Sequence, residues 1–114
     1  MIRFLPATAF AVLASLATLA AGPALADNFE ASVVIKDHVF DPMEIKVPAG
    51  AVVELTVENQ DATPEEFESA DLGVEKIVPG NSSGKVRFGP LDAGTYLFIG
   101  EFNQHTARGV VTAE

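Results

Sequence analysis

The sequence predicts an all-β, two-sheet sandwich of about seven or eight short strands, placed behind an export signal. Three observations carry the prediction. From Asp27 onward apolar residues alternate with polar ones instead of recurring at helical spacing; Val, Ile, Thr and Phe crowd where the alternation is cleanest; and Pro/Gly clusters interrupt it at short intervals. A length of 114 residues supports one small domain.

Residues 1–26 read as a signal peptide. Arg3 is their only charge, an apolar run continues through Phe10, Val12, Leu13, Leu16 and Leu19, and Ala24-Leu25-Ala26 gives the small-x-small pattern before Asp27-Asn28. An uncleaved membrane anchor is the alternative reading of the same run. Cleavage leaves residues 27–114 as the domain, with six basic and sixteen acidic side chains and a net charge of −10. That product is expected to be exported, soluble and acidic. No later apolar run approaches the roughly 20 residues a membrane-spanning helix needs.

Strands follow in order. Residues 30–36 form the first, Met43, Ile45 and Val47 alternate with Glu44 and Lys46 in a second, and Val53, Leu55 and Val57 alternate with Glu54, Thr56 and Glu58 in a third. Later strands are expected near 85–88, 95–99 and 109–112. Pro48-Ala49-Gly50, the run Pro79-Gly80-Asn81-Ser82-Ser83-Gly84, and Asp92-Ala93-Gly94 are the turns between them, since Pro presets φ and Gly tolerates positive φ. Val34, Val53, Leu55, Val57, Phe67, Phe88, Tyr96 and Phe98 are the expected core. Met43 belongs with them rather than with metal ligands, because it alternates with Ile45.

Residues 59–73 are the least regular part, and with Glu75 just beyond they carry Asp61, Glu65, Glu66, Glu68 and Asp71. A turn of helix has a start signal at Thr63-Pro64-Glu65-Glu66, a capping box with Pro at the first helical position. In an extended segment, Glu66 and Glu68 share one face and Glu65 shares the other with Phe67. An inward Glu65 then needs a paired cation or a metal, because an isolated buried charge is costly.

Composition excludes several classes of function. Without cysteine there is no disulfide, thiolate nucleophile, zinc knuckle, iron–sulfur cluster or blue-copper site. The acidic balance argues against nucleic acid, whose binding rests on Lys and Arg, and favours metal ions or a basic partner. Ser69, Ser82 and Ser83 have no histidine at a motif spacing, there is no tryptophan platform for a sugar, and no glycine-rich phosphate cradle occurs. An enzyme is therefore not expected. What remains is Glu65, Glu66 and Glu68, the loop Gly100-Glu101-Phe102-Asn103-Gln104-His105, and His38: oxygen and imidazole donors of the kind that suit iron, copper(II), manganese or zinc. A solvated acidic loop and two surface histidines are the plainer reading of the same residues.

The run Phe40-Asp41-Pro42-Met43-Glu44-Ile45-Lys46-Val47-Pro48-Ala49-Gly50, then Val57-Glu58-Asn59, then Gly94-Thr95-Tyr96-Leu97-Phe98, resembles the cupredoxin family over nearly all of 27–114. By that resemblance Glu65 stands near the first copper histidine, Gly100 at the cysteine, Asn103 at the second histidine and Ala107 at the methionine. All four ligands of a blue-copper site are missing. The phrases Pro64-Glu65-Glu66-Phe67-Glu68-Ser69, Glu75-Lys76 and Gly100-Glu101-Phe102 are similar to cysteine-free, EfeO-type cupredoxin-like proteins, periplasmic partners of ferrous-iron permeases. The resemblance implies a Greek-key sandwich, a periplasmic location, handling of an iron or copper ion, and as partners an iron permease and a second periplasmic iron-binding protein. Many such relatives carry His where this chain has Asn103, whereas His105 lies two positions later. The metal candidates are thus Glu65, Glu66, Glu68, Glu101, His105 and His38. The loops after 53–57 and after 95–99 are expected to open at one end and bring Glu65 or Glu66 together with Glu101 or His105. The alternative is a metal-free docking module whose acidic loop binds a partner protein.

Overall fold

The computed structural model describes Ile2, Arg3 and residues 27–114. The signal-peptide reading falls on 1–26 and so lies, but for two residues, outside the described residues. Among these residues nine strands form: β1 (Asn28–Lys36), β2 (Val39–Asp41), β3 (Glu44–Val47), β4 (Val52–Asn59), β5 (Glu65–Ser69), β6 (Val74–Val78), β7 (Ser82–Phe88), β8 (Gly94–Gly100) and β9 (Arg108–Ala113). A single 3-10 turn, Glu101–Asn103, follows β8. One sheet runs β2-β1-β4-β7 and the other β3-β9-β8-β5-β6. Both are mixed, because β1 lies parallel to β4 and β3 parallel to β9.

The inner faces are set by alternation. β4 buries Val53, Leu55 and Val57, and β1 buries Val33 and Ile35. Val34 therefore points away from the core, contrary to the sequence expectation: in the uninterrupted run Val33-Val34-Ile35 composition gives no phase, and pairing with β4 decides it. Opposite them stand Ile45, Val47, Phe67, Phe98 and Val111. Phe40 of β2 closes the layer near one end, its ring edge-on to Phe98 at 4.9 Å, while Phe67 and Phe98 stack at 5.0 Å. Such aromatic pairs add to the burial of their area.

Three local departures have physical causes. The segment after Thr63 is a strand rather than helix, since burying Glu65, Phe67 and Ser69 in alternation against the other sheet outweighs the capping signal. Met43 is exposed, not core: β3 begins at Glu44, and Met43 sits in the bend that follows Pro42. Strands β2, β5 and β6 raise the count to nine; β2 is three residues long, and β6 is an edge strand that buries only Val78.

The buried amide of Asn59 ties the ends of three strands together. Its Nδ2 donates to the carbonyls of Thr63 at 2.9 Å and Val78 at 3.2 Å, and its Oδ1 accepts from the Asp61 amide at 3.0 Å. Asp61 in turn accepts from the amides of Asp37 and His38, the two residues of the β1–β2 turn that hold φ of 53° and 59°. This fixes where β5 begins, and hence which of its carboxylates face inward.

Candidate functional site

The two faces of β5 lead to two different clusters. On the inner face Glu65 is only 1% exposed, yet among the described residues it forms no salt bridge. Its Oε1 accepts from the amides of Phe102 at 2.8 Å and Glu66 at 3.1 Å, and its Oε2 accepts from Asn103 Nδ2 at 2.6 Å. The sequence asks a cation or a metal of an inward Glu65; in the structure N–H donors from its own strand and from the facing turn engage both of its oxygens, as they can for any buried acceptor.

Gly100 makes that arrangement possible. A Cβ built on it would lie 2.7 Å from Glu65 Cδ and 2.7 Å from the Ala107 methyl, so a side chain at 100 and the carboxylate of Glu65 compete for one volume. Backbone bonds close the loop around them, from the Gly100 amide to Ala107 O at 2.9 Å and from the Ala107 amide to Asn103 O at 2.8 Å. Glu65, Gly100, Asn103 and Ala107 thus meet at one point. They fill it with a carboxylate, an amide and two residues that bring no donor atom, which is not a donor set for blue copper.

On the outer face, Glu68 and Glu101 meet carboxyl to carboxyl. The hydrogen bond to Glu101 pushes Glu68 up to about 7, helped by burial and by the charges of Glu101, Glu66 and Glu75. Register explains the company: Glu68 lies opposite Glu75 of β6 and Ile99 of β8, and Glu66 lies opposite Ile77. Glu66 therefore shares the solvent face with Glu68. Among the described residues no three His, Asp or Glu side chains are already gathered around a common metal position.

The histidines lie elsewhere. His38 and His105 line one open depression of about 560 Å³ with Phe102, Asn103, Gln104, Thr106 and Arg108. His38 Nδ1 is 3.4 Å from Asp61 Oδ2. The bonds from the His38 and Asp37 amides hold the Asp61 carboxyl below its ordinary value. Of the six candidates, then, Glu68 and Glu101 touch, Glu66 flanks them, Glu65 is enclosed behind the strand, and His38 and His105 share a separate hollow. Sequence reasoning missed Glu75 as a neighbour of the pair and Asn103 as the partner of Glu65. The adjacency of a glycine at 100 to a turn carrying Asn103 was the available signal for the second.

Among the described residues, nine strands in two mixed sheets, with Glu65, Gly100, Asn103 and Ala107 converging where β5 begins and β8 ends, define a cupredoxin-like sandwich. The chain belongs to the cupredoxin-like domain family, which matches residues 8–113. It is 43% identical over 86 residues to an uncharacterized protein of Rickettsia prowazekii (strain Madrid E), covering 75% of this chain and 69% of that one. Among solved structures it is similar to auracyanin A, a blue copper protein of Chloroflexus aurantiacus, at 18% identity and a TM-score of 0.68, over 77% of this chain and 100% of that one. It is also similar to the metal-binding domain of the Cu(I)-exporting P-type ATPase CopA of Streptococcus pneumoniae D39, at 16% identity and a TM-score of 0.65, over 76% and 86%. At these identities the likeness to the solved structures is one of fold.

Proposed function

We propose that this is an exported, non-enzymatic metal-handling protein that takes up an iron or copper ion at the carboxylates on the outer face of β5, not in the pocket where blue-copper members of its family hold theirs. The observation that carries the reading is the gathering of carboxylates on one solvent face: Glu68 lies opposite Glu75, shares its face with Glu66, and is raised to about 7 by its contact with Glu101. A cation there removes the repulsion between them. All-oxygen donors favour the more highly charged Fe(III), which agrees with the resemblance to periplasmic partners of ferrous-iron permeases. The EfeO-type assignment, the periplasm, the permease and the second iron-binding protein belong to this proposal. Its support is the phrases around Glu65, Glu75 and Glu101 and the copper proteins among its structural neighbours.

Equilibrium dialysis of the cleaved protein against Fe(II) under anaerobic conditions, Cu(II) and Mg(II) tests it. Iron or copper is expected to bind tighter than about 1 mM, with release of a proton near pH 6.5 and loss of binding in Glu68→Gln and Glu101→Gln. Binding that survives in both variants moves the site away from this pair. No binding at all leaves the metal-free docking module, a reading favoured by Leu97 and Ile77, which stand 59% and 56% exposed on the same acidic face.

A further inference from the structure

The inner and outer faces of β5 are coupled through the turn after β8. Glu101, Phe102 and Asn103 are consecutive residues of one 3-10 turn, and that turn has no side-chain cap at its start. Phe102 contributes its amide and Asn103 its side chain to Glu65, while Glu101 reaches the opposite side of β5 to meet Glu68. The antiparallel ladder between β5 and β8 reaches only Phe67–Gly100 and Glu68–Ile99. Past Gly100 the turn is attached to β5 by the bonds to Glu65.

We propose that Glu65 is a positioning residue: by fixing the Glu101–Asn103 turn, its enclosed carboxylate holds Glu101 beside Glu68. Three features of the structure agree on this. Glu65 is enclosed with both oxygens engaged, so its burial is compensated only while the turn is in place. Gly100 leaves the room that the carboxylate fills. Ala107, fully buried, closes the far side and bonds back to Asn103 and Gly100. The role assigned to Glu101 rests on the proposed metal function, whereas the anchoring of the turn does not.

The test is made on the cleaved, metal-free protein with Glu65→Gln and Glu65→Leu. Gln keeps an acceptor for the Phe102 amide and, with the Asn103 amide rotated, a partner there too; Leu keeps the bulk and removes both. The Phe102 amide should exchange with solvent about tenfold faster or more in Glu65→Leu and near the wild-type rate in Glu65→Gln. Placement of Glu101 is read from the carboxyl carbon shift of Glu68 by NMR. Adding Glu101→Gln should move that shift in wild-type and Glu65→Gln backgrounds but not in Glu65→Leu. Should Glu65→Leu not fold, Asn103→Ala takes its place, with the same signs and smaller changes. Unchanged Phe102 exchange, or a Glu68 shift that still answers to Glu101 when Glu65 is Leu, overturns the proposal. If both readouts behave as expected while wild-type protein binds no Fe(II) or Cu(II), the anchoring stands and the metal function falls.

Discussion

Strands β4 and β5 obey the same alternation and use it for opposite purposes. β4 turns Val53, Leu55 and Val57 inward and Glu54 and Thr56 outward, while β5 turns Glu65, Phe67 and Ser69 inward and Glu66 and Glu68 outward. An inner face is therefore defined by position in the sheet and not by hydrophobicity. What makes a polar residue acceptable there is the set of donors on the facing segment. β4 faces apolar side chains, whereas the end of β5 faces a turn with an amide and a carboxamide to offer.

The largest expected effect separates the apolar part of β5 from its polar part. Phe67→Ala should cost about 3–5 kcal/mol in urea unfolding, because its ring stacks on Phe98 at 5.0 Å and meets Phe40 at 6.0 Å. A loss below about 1 kcal/mol would mean that the three-ring cluster does not join the sheets. Next in size is Gly100→Ala, at about 1–3 kcal/mol, since the new methyl must push against the Glu65 carboxyl carbon and the Ala107 methyl, both at 2.7 Å. A neutral Gly100→Ala would show that the pocket has room to spare, and would reopen it to a ligand.

This contrast explains how much could be read in advance. Alternation located β3 and β4, and the turn clusters bracketed β7, β8 and β9, although β7 begins at Ser82, inside the run read as a turn. It found β1 but misplaced its phase at Val34, where three apolar residues in a row look alike from both sides. Glu-Glu-Phe-Glu-Ser carries one apolar residue in five, so β5 did not announce itself as a strand, although its two-faced geometry follows at once if it is extended. The Glu65–Asn103 bond joins residues 38 apart and needs a gap at Gly100, which is a property of three distant positions together. The separation of His38 and His105 from the β5 carboxylates is likewise set by tertiary placement: the histidines line a hollow with Phe102 and Asn103, whose N–H donors enclose Glu65 on the inner face.

A smaller effect is expected where a loop holds a strained turn. Asp61 bonds the amides of Asp37 and His38, both in the left-handed region, and those bonds lower its carboxyl from the ordinary 3.8. The stability it contributes is present above 3.8 and disappears as the pH falls through Asp61's own lower value. Asp61→Asn should be about 1 kcal/mol less stable at pH 7, measured by urea unfolding, and should converge with wild type in acid. A gap that is the same at pH 7 and in acid would assign the loss to packing instead of charge.

The smallest effect lies on the outer face and has the opposite sign. Glu68 is raised from 4.5 to about 7, so between those values the folded protein keeps a proton that the unfolded chain has released. Its contribution to stability is complete below 4.5 and drains away as the pH rises to about 7. Wild type and Glu68→Gln should therefore melt together near pH 4, with the variant drawing ahead as the pH climbs and keeping a constant lead above 7. Because the pair is open to solvent, screening keeps that lead small, and added salt should narrow it. On the proposed function, Fe(II) added anaerobically at pH 8 should close the gap from the wild-type side alone, since only the intact pair has repulsion for a cation to relieve. Parallel melting curves across the whole range would show that Glu68 and Glu101 do not share a proton in solution, and the inner and outer faces of β5 would then differ in burial only.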